Sequence, residues 1–452
     1  MKILHYTLGL PPYRTGGLTK YSIDLAKSEK EILKQDVAIL FPGRYTFNKK
    51  TKIKKTNAFF NIPVYELFNP LPVPLLAGIK NPDKFKISFD TNIFLSFLNK
   101  FRPSIIHIHT LMGLPKEFLD ATKKLKIKTI FTTHDYFGLC FKVNFVCNGE
   151  LCDGIYDKSK CANCNKNGYS QNLIKIMQSK LYRNFKKNKC FELIKRIKKI
   201  SLVTREKPIE LLNDESNKFL YDEYDNLNAY YKSMFKLIDF FHFNSSVSKM
   251  EFEKKLGKLN GKILNITHSK IKDNRKIKKY NDKSKLKITY LGPFKKYKGI
   301  KLLLDVINEL NCNNLELNLY GDINIEKSID NRIIYNGKYN YNELEEIFSN
   351  TDVLLVPSIW KETYGFVGLE AFSNAVPVIL TENVGFKDII QNNITGLVVK
   401  ADKESIKKEL ISILNNKNIL KNINKNILET KFHLEMKKHV SEVLSIYRNI
   451  LK

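Results

Sequence analysis

The chain has 452 residues, about three times the ~150 of a typical domain, so two sizeable domains are expected. Hydrophobic residues make up 43% of it and aromatic residues 12%, which excludes a chain that is disordered throughout. No apolar run approaches the ~18–20 residues that a membrane-spanning helix needs. The first strand runs into Pro11-Pro12 without a small-residue cleavage site. A cytoplasmic location is therefore expected, either free or peripheral on the inner face of a membrane.

The chain is strongly basic, with 76 Lys and Arg against 46 Asp and Glu and a formal charge of +30. Such a charge suits nucleic acid, anionic lipid or anionic substrates as partners. It also accompanies a composition crowded with Lys, Asn and Ile, as compositional drift across a genome produces. The charge alone does not choose between these explanations.

The front of the chain alternates short apolar strands with amphipathic stretches, as βαβ units on a parallel sheet do. Residues 1–270 are predicted to form a Rossmann-like domain, with helical elaboration at 171–235 and a basic linker at 271–285. The expected elements are a helix over Leu18–Lys34 and strands at Lys2–Tyr6, Val37–Phe41, Ile105–His109, Thr129–Thr133, Phe240–Asn244 and Ile263–Thr267.

A second and clearer α/β series follows over residues 286–430, and an amphipathic tail at 431–452 predicts a helix that returns to the first domain. The predicted architecture is α/β, with two Rossmann-like domains facing a deep cleft. The expected strands are Lys287–Leu291, Glu316–Tyr320, Arg332–Tyr335, Asp352–Val356, Val376–Leu380 and Gly396–Val399, and the helices are Ile300–Leu310, Asn342–Ser349, Phe366–Ser373 and Lys403–Leu414.

The first strand of the second domain ends in a glycine turn that is followed by lysines. The sequence contains no dinucleotide or P-loop fingerprint. It has Gly292-Pro293 and then Lys295, Lys296 and Lys298 before a helix. Ligands of open α/β sheets bind beyond the carboxyl ends of the strands, so a lysine placed there suits a diphosphate. The alternative is that Lys298 is one surface lysine among many.

Two glutamates follow another strand of this domain. Glu362 lies in the loop and Glu370 in the second turn of the next helix. Backbone N–H groups at Gly365–Gly368 suit an anionic phosphate, and a carboxylate one turn into the helix suits a pair of sugar hydroxyls. The alternative is a pair of solvated surface glutamates. These residues favour a nucleotide-sugar or a similar phosphate ligand.

The Glu362-x7-Glu370 spacing, followed by Pro377-Val378-Ile379 and Gly385, closely resembles the signature of retaining GT-B glycosyltransferases of family 4. Four further segments fit that family in order and spacing. The resemblance covers nearly all of the second domain and the front half of the first. The segments are Gly16-Gly17-Leu18, Gly292 to Lys298-Gly299, Tyr320-Gly321-Asp322 and Asn336-Gly337-Lys338-Tyr339.

This resemblance implies a GT-B fold and transfer of a sugar from a nucleotide donor, in cell-surface polysaccharide biosynthesis, to a glycan or lipid-linked acceptor. Pro293 stands where many members carry a phosphate-binding Arg, so Lys295 or Lys296 is expected to substitute. The second departure is Ala375, where a Gly is usual. The resemblance implies that Glu362 and His134 contact the donor sugar and that Glu370 contacts the ribose. The diphosphate would be bound by Lys298 and by the backbone amides of Gly365, Phe366 and Val367. The backbone near Lys338 and Tyr339 would contact the base, and Gly16, Gly17 and Gly292 would lie near the donor phosphates.

Three histidines lie on strands of the first domain or directly after them. His134 lies where a strand runs into the cleft, and it resembles the family histidine that contacts the donor sugar. His107 and His109 share one face of another strand. A hydrogen-bonded core histidine is the favoured interpretation of His107, whereas His109 is left open between core and site.

Five of the seven cysteines lie within one short segment. A Cys-x2-Cys pair binds one Zn²⁺ from a tight turn, and two further thiolates complete a tetrahedron. The preferred structural zinc ligands are Cys140, Cys152, Cys161 and Cys164, with Cys147 as the spare. The alternative is a metal-free set of small buried side chains. No catalytic metal is expected, since no Asp-x-Asp follows a strand.

The segment Lys175–Lys207 has twelve basic residues and two acidic ones, with apolar residues at helical spacing. It predicts either contact with an anionic membrane or a solvated basic face. Two other functions remain as alternatives: a GT-B-shaped sugar-nucleotide epimerase, and a basic, zinc-stabilised nucleic-acid-binding protein. The second leaves Glu362-x7-Glu370 unexplained, so nucleic acid is not expected as a partner.

Overall fold

The computed structural model describes residues 1–147, 149–187, 218–281, 284–322 and 328–452. Its first sheet has eight strands in the order β10-β9-β6-β5-β1-β2-β4-β3 and is parallel except for the β3–β4 hairpin. The strand order reverses between β1 and β5, which defines a topological switch point. Its strands are β1 Lys2–Tyr6, β2 Asp36–Pro42, β3 Lys52–Phe59, β4 Ile62–Phe68, β5 Ile105–Ile108, β6 Lys128–Thr132, β9 Phe240–Phe243 and β10 Gly261–Ile263, and a separate small hairpin pairs β7 Val146–Cys147 with β8 Glu150–Leu151.

The second sheet has six parallel strands in the order β13-β12-β11-β14-β15-β16. This is a doubly wound arrangement with its switch point between β11 and β14. All the residues of β14 and β15 are buried, as expected for strands covered by helices on both faces. The strands are β11 Leu286–Leu291, β12 Leu315–Tyr320, β13 Ile333–Gly337, β14 Val353–Val356, β15 Val378–Thr381 and β16 Leu397–Val399.

Helices cover both sheets, and side chains cap the N-termini of several of them. Asp90 accepts a hydrogen bond from the Asn92 N–H, and Ser245 and Ser248 form a reciprocal capping box. The α-helices are Gly17–Glu31, Thr91–Phe101, Lys116–Lys124, Lys158–Asn165, Gln171–Met177, Lys180–Lys187, Lys218–Lys236, Ser246–Leu256, Ile300–Glu309, Leu344–Ser349, Phe366–Phe372, Lys403–Asn415, Asn418–Glu429 and Met436–Leu451.

The C-terminal helix returns to the first domain. Its Tyr447 hydroxyl lies 2.9 Å from Glu29 Oε1, and its His439 Nε2 lies 2.8 Å from the Tyr21 hydroxyl, both partners being on the first helix. All four side chains are buried. The last helix therefore fastens the second domain to the first.

One predicted strand is wrong in position. The strand expected at Ile263–Thr267 ends at Ile263, because the chain leaves the sheet to join the linker and Thr267 donates its hydroxyl to Leu434 O at 2.5 Å. The linker itself is held to the second domain, since Arg275 donates to the carbonyls of Ile427 and Thr430 at 2.6 and 2.7 Å.

Candidate active site in the interdomain cleft

A cavity of about 550 Å³ lies between the two domains, at the carboxyl ends of β11 and β14. This is the switch point of the second sheet, where open α/β sheets bind their ligands. The first domain closes the cavity from the other side. Its lining includes most of the predicted site residues, namely Gly16, Gly17, His134, Gly292, Lys298, Tyr339, Glu362, Gly365, Phe366 and Val367.

The two domains are in contact at the rim of this cavity. A Cβ built on Gly17 would lie 3.2 Å from the Phe366 ring, so a larger residue there would require the ring to move by a few tenths of an ångström. Below that contact, Ser245 donates to Thr363 O at 2.7 Å and Thr363 donates to His134 O at 2.9 Å. The two domains thus touch directly beside the cavity.

Lys298 and Glu362 form an ion pair in the wall of the cavity, with 2.8 Å between Nζ and Oε1. The Ser358 hydroxyl donates to Glu362 Oε2 at 2.7 Å, so both carboxylate oxygens have partners. The side chains are 19% and 15% exposed, and the Lys298 ammonium lies 5.0 Å from the Trp360 ring centre. The sequence suggested separate contacts for these two residues, whereas the structure pairs them.

A short turn over Lys296–Lys298 places this lysine. Gly299 follows with φ 78°, and a Cβ there would lie 1.8 Å from Pro357 O. The turn is therefore packed directly against the loop that carries Glu362. Only a glycine fits between the two loops.

Lys295 and Lys296 are the two candidates for the phosphate-binding role of the family arginine, whose position Pro293 occupies here. Of these two lysines, Lys296 has a partner in the first domain. Its ammonium pairs with Glu150 in the β7–β8 hairpin. Lys295 is exposed and does not line the cavity. The hairpin of the cysteine segment thus contacts the lysine turn of the second domain.

Glu370 lies beside the cavity rather than in its lining. It is buried, and its Oε1 lies 3.2 Å from His268 Nε2. Burial lowers the pKa of His268, so a neutral imidazole donates this hydrogen bond. The His268 ring lies 5.1 Å from the Phe366 ring and 5.6 Å from the Tyr341 ring. The sequence reasoning missed His268 because it belongs to no motif.

The predicted base-contact segment is divided between surface and cavity. The Lys338 ammonium pairs with Asp322 at 2.8 Å and is 64% exposed. Tyr339 is half-buried and lines the cavity.

One of the backbone N–H groups predicted to bind phosphate already has a partner, because the Gly368 N–H donates to Gly365 O at 3.1 Å.

His134 lines the cavity and has a partner at each ring nitrogen. Its Nε2 lies 3.2 Å from His109 Nδ1, and its Nδ1 lies 3.4 Å from Asn244 Nδ2. Burial lowers the pKa of His134 well below 6.5, which keeps the imidazole neutral at physiological pH. Asn244 also lines the cavity and was missed, since no motif surrounds it.

His107 is fully buried and hydrogen-bonded. Its Nδ1 lies 2.6 Å from the Tyr447 hydroxyl, and its Nε2 lies 2.5 Å from Thr132 Oγ1. Within the described residues, His5, His107 and His109 are the one set of three potential metal ligands with atoms within 4.8 Å of one another. All six ring nitrogens of this set already have polar partners, so we treat it as a hydrogen-bonded cluster.

The five clustered cysteines line one cavity of about 40 Å³. Burial raises the pKa of the Cys161 thiol to about 12 and raises that of Cys140. In the part of the chain that the structure describes, no three of their sulfurs lie within 4.8 Å of one another. The donor set and its shared cavity suit zinc, provided that side-chain rotation brings the thiols together.

Comparison with known proteins is consistent with this architecture. Residues 271–430 match the model of the family described as "Glycosyl transferases group 1". An "Uncharacterized 41.2 kDa protein in cps region" of Klebsiella pneumoniae is 35% identical over 131 residues, 27% of this chain and 36% of its own. "Capsular polysaccharide biosynthesis glycosyltransferase CapM" of Staphylococcus aureus is 28% identical over 179 residues, 36% of this chain and 46% of its own.

Solved structures extend the similarity in fold to the whole chain. Anabaena Alr3699/HepE, in a complex with UDP, superposes with a TM-score of 0.59 at 11% identity and covers 99% of this chain and 100% of its own. The chain spans about a third to a half of the length of the curated relatives that it matches.

The fold is GT-B, as the two facing parallel-sheet domains and these neighbours establish. The group 1 match over residues 271–430 and the named relatives support a GT-B glycosyltransferase.

Proposed function

We propose that this protein is a retaining glycosyltransferase of family 4 that moves a sugar from a nucleotide-sugar donor to a glycan or lipid-linked acceptor. The observation that carries the proposal is the convergence of Lys298, Glu362 and His134 on one interdomain cavity. The lysine and the glutamate come from the second domain and the histidine from the first. A sugar held between them is bound only when the cleft is closed.

The leaving group defines the role of Lys298. Departure of a nucleoside diphosphate develops negative charge on the phosphate oxygens while the sugar becomes cationic. A fixed ammonium next to the leaving group stabilises the charge where it grows. Lys298 is held in place by Glu362 and by the Trp360 face, so little reorganisation is needed during the reaction.

Glu362 has the features of a sugar-holding group. Both of its oxygens accept hydrogen bonds, one from the Lys298 ammonium and one from the Ser358 hydroxyl, which lowers its reactivity as a nucleophile. The family resemblance implies that the leaving phosphate itself acts as the base in the retaining reaction. No catalytic metal is proposed for this chemistry.

The acceptor is proposed to be a growing surface polysaccharide, free or lipid-linked. Support comes from the name of the capsular relative. Contact with an anionic membrane through Lys175–Lys207 also remains a proposal, and residues 188–207 of that segment lie outside the described residues. Among the described helices, none is both long and apolar enough to cross a bilayer.

A screen of ligand binding tests the proposed function. Thermal shifts are measured with UDP, GDP, ADP and TDP and with their common sugars. One base class is expected to raise the melting temperature, because a ligand that binds only the folded state stabilises it. Conversion of the donor sugar to its epimer without acceptor would instead support the epimerase. A lack of stabilisation by every nucleotide would contradict both functions.

Glu370→Ala is expected to weaken nucleotide binding while leaving kcat nearly unchanged. Loss of a charge-assisted hydrogen bond to a ribose hydroxyl costs about 1.5–3 kcal/mol, or roughly 10- to 100-fold in Kd. Titration calorimetry with the nucleotide found in the screen measures the change. Glu382→Ala is the matched control, since Glu382 is exposed in the loop after the next strand. Equal affinities of Glu370→Ala and wild type would contradict the assignment.

We further propose a structural zinc ion held by Cys140, Cys152, Cys161 and Cys164. The shared cavity of these thiols supports it. The ion would fix the segment that carries Glu150 against Lys296 of the second domain. A site closed by four thiolates is structural and contributes directly to folding.

The purified protein is accordingly expected to carry about one Zn per chain by elemental analysis. Cys161→Ser is expected to lose the metal together with several kcal/mol of unfolding free energy, because metal binding here is folding energy. Cys312→Ser, in the second domain, is the control and should keep the metal. Metal-free wild-type protein, or unchanged stability after Cys161→Ser, would contradict the proposal.

A further inference from the structure

A continuous string of buried hydrogen bonds runs from Glu29 to the cavity. Glu29 Oε2 lies 2.6 Å from His5 Nε2, and His5 Nδ1 lies 3.0 Å from His109 Nε2. His109 Nδ1 then lies 3.2 Å from His134 Nε2. Glu29, His5 and His109 are buried, and only His134 reaches the cavity lining. We call this string the histidine arm.

A second buried string leaves the other oxygen of Glu29. It passes from Glu29 Oε1 to the Tyr447 hydroxyl (2.9 Å), and from there to His107 Nδ1 (2.6 Å). His107 Nε2 meets Thr132 Oγ1 at 2.5 Å, and this hydroxyl lies 3.0 Å from His242 Nδ1. The string ends where His242 Nε2 meets Leu264 O at 2.8 Å. We call it the tyrosine arm.

The carbonyl end of the tyrosine arm decides the direction of its hydrogen bonds. A carbonyl oxygen only accepts, so His242 Nε2 carries a proton, and a neutral His242 accepts at Nδ1 from the Thr132 hydroxyl. Thr132 then accepts from His107 Nε2–H. A neutral His107 in turn accepts at Nδ1 from the Tyr447 hydroxyl, which leaves the Tyr447 oxygen facing Glu29 as an acceptor.

The last contact therefore needs a proton on Glu29 Oε1. An ionised Glu29 fits only if His107 or His242 is an imidazolium, which could let Tyr447 donate to the carboxylate instead. Burial lowers the pKa of His107 well below 6.5 and that of His242 to about 4, which opposes a buried cation. A neutral carboxylic acid satisfies every contact of the tyrosine arm.

Assigning donors and acceptors in the same way fixes the direction of each hydrogen bond in the histidine arm. The carbonyl oxygen of the acid accepts from His5 Nε2–H, His5 Nδ1 accepts from His109 Nε2–H, and His109 Nδ1 accepts from His134 Nε2–H. His134 Nδ1 is then a bare acceptor next to Asn244, a second residue of the cavity wall. The 3.4 Å contact with the Asn244 amide is long, so Nδ1 has capacity for a better donor.

We propose that Glu29 is a protonated carboxylic acid that orders both arms and, through His5 and His109, holds His134 as the Nε2–H tautomer with Nδ1 ready to accept a hydrogen bond from a hydroxyl group of the donor sugar. Glu29, His5 and His109 are positioning residues in this account. The contact with the sugar rests on the proposed function. The tautomer does not, because it is a property of the protein without ligand.

The residues around the two arms favour a positioning role for these hydrogen bonds over a role in packing alone. Buried polar strings cost more to assemble than apolar packing, and they fix a unique arrangement only when every member has its partners. The Tyr21 ring packs on His134 at 4.9 Å, and His439 bonds to the Tyr21 hydroxyl. Because Tyr447 lies on the C-terminal helix, docking of that helix completes the tyrosine arm.

Nitrogen NMR of the full-length protein, labelled with ¹⁵N-histidine and free of ligand, measures the tautomers directly. The His134 signal, identified by its loss in His134→Asn, is expected to show a protonated Nε2 and a bare Nδ1 from pH 6 to pH 8 without titration. His433, which is exposed, provides the titrating reference. An Nδ1–H tautomer or a titrating His134 would overturn the proposal.

Two substitutions of Glu29 distinguish control of the His134 tautomer from a role in packing alone. Glu29→Leu removes both contacts and is expected to leave His134 as a mixture of tautomers with kcat lowered by roughly tenfold or more. Glu29→Gln, which mimics the neutral acid with one donor and one acceptor, is expected to restore the wild-type tautomer and at least half of the wild-type kcat. A Gln variant as defective as the Leu variant would overturn the proposal.

Infrared spectroscopy provides a readout if Glu29→Leu does not fold. The difference spectrum of wild type minus Glu29→Gln at pH 7 is expected to contain a carboxylic acid C=O band, and its absence would overturn the neutral acid. Tyr6→Phe is the matched packing control, because it removes a buried hydroxyl that donates to Met112 O outside both arms. If the tautomers are as expected but His134→Ala turns over donor at the wild-type rate, the proposed function is contradicted while the proposed tautomer of His134 is supported.

Discussion

Lys298→Ala is expected to lower kcat by about 10²-fold while the fold remains intact, because one preorganised positive group at a leaving group is worth roughly 3–4 kcal/mol of transition-state stabilisation. The Lys298 ammonium is fixed between Glu362 and the Trp360 ring, so no other lysine takes its place without moving the turn. The effect should be in kcat more than in KM, since the charge on the phosphate grows in the transition state. Steady-state release of nucleoside diphosphate measures both constants.

Two neighbouring substitutions provide the controls for Lys298. Lys295→Ala removes an exposed lysine of the same turn and should change kcat by less than about threefold. Lys298→Ala combined with Glu362→Gln removes the carboxylate that the single change leaves without its cation, so equal melting temperatures of the single and double variants would show that this carboxylate does not disturb the fold. Wild-type turnover by the single variant would show that the diphosphate is bound elsewhere.

His134→Ala is expected to lower kcat by about 10²-fold as well, since it removes the group that we propose holds the donor sugar from the first domain. The pH dependence of the wild-type kcat is a second expectation. Burial lowers the pKa of His134 well below 6.5, so the neutral form is already complete at pH 6 and no further change follows up to pH 8. The profile of log kcat should therefore lack a His134 limb in that window.

His433→Ala is the matched control for His134, because it removes an exposed histidine near the C-terminal helix. It should leave kcat within about twofold of wild type. Circular dichroism on both variants confirms equal folding. A wild-type kcat for His134→Ala, or a limb near pH 6.5 that this variant abolishes, would contradict the neutral role of the imidazole.

Most strands of both sheets could be predicted from the sequence because they are buried on both faces and read as short apolar runs. The β3–β4 hairpin was missed for the opposite reason. Its first strand, Lys52–Phe59, has no buried residue and carries several polar side chains, so neither apolar runs nor alternation mark it. The helix Asn418–Glu429 was missed since its polar face consists of Asn and Lys, which resemble the linker.

The motifs located the cavity but not the interactions within it. Lys298 and Glu362 lie 64 positions apart, and their ion pair follows from the packing of two loops at the sheet switch point. His268 reaches Glu370 over 102 positions, and Tyr447 reaches Glu29 over 418. Such contacts depend on how the linker and the last helix cross between domains, which local periodicity does not encode.

Turnover of a nucleotide-sugar by wild-type protein and by Lys298→Ala tests the central claim most directly. The panel comprises the common sugars of UDP, GDP, ADP and TDP, and nucleoside diphosphate release is followed while NMR records the anomeric configuration of the sugar product. We expect one donor class to be consumed, with the donor's own configuration kept in the product, and the rate to fall by about 10²-fold in Lys298→Ala. Consumption of no donor, inversion of the product, or equal rates for the two proteins would contradict the account.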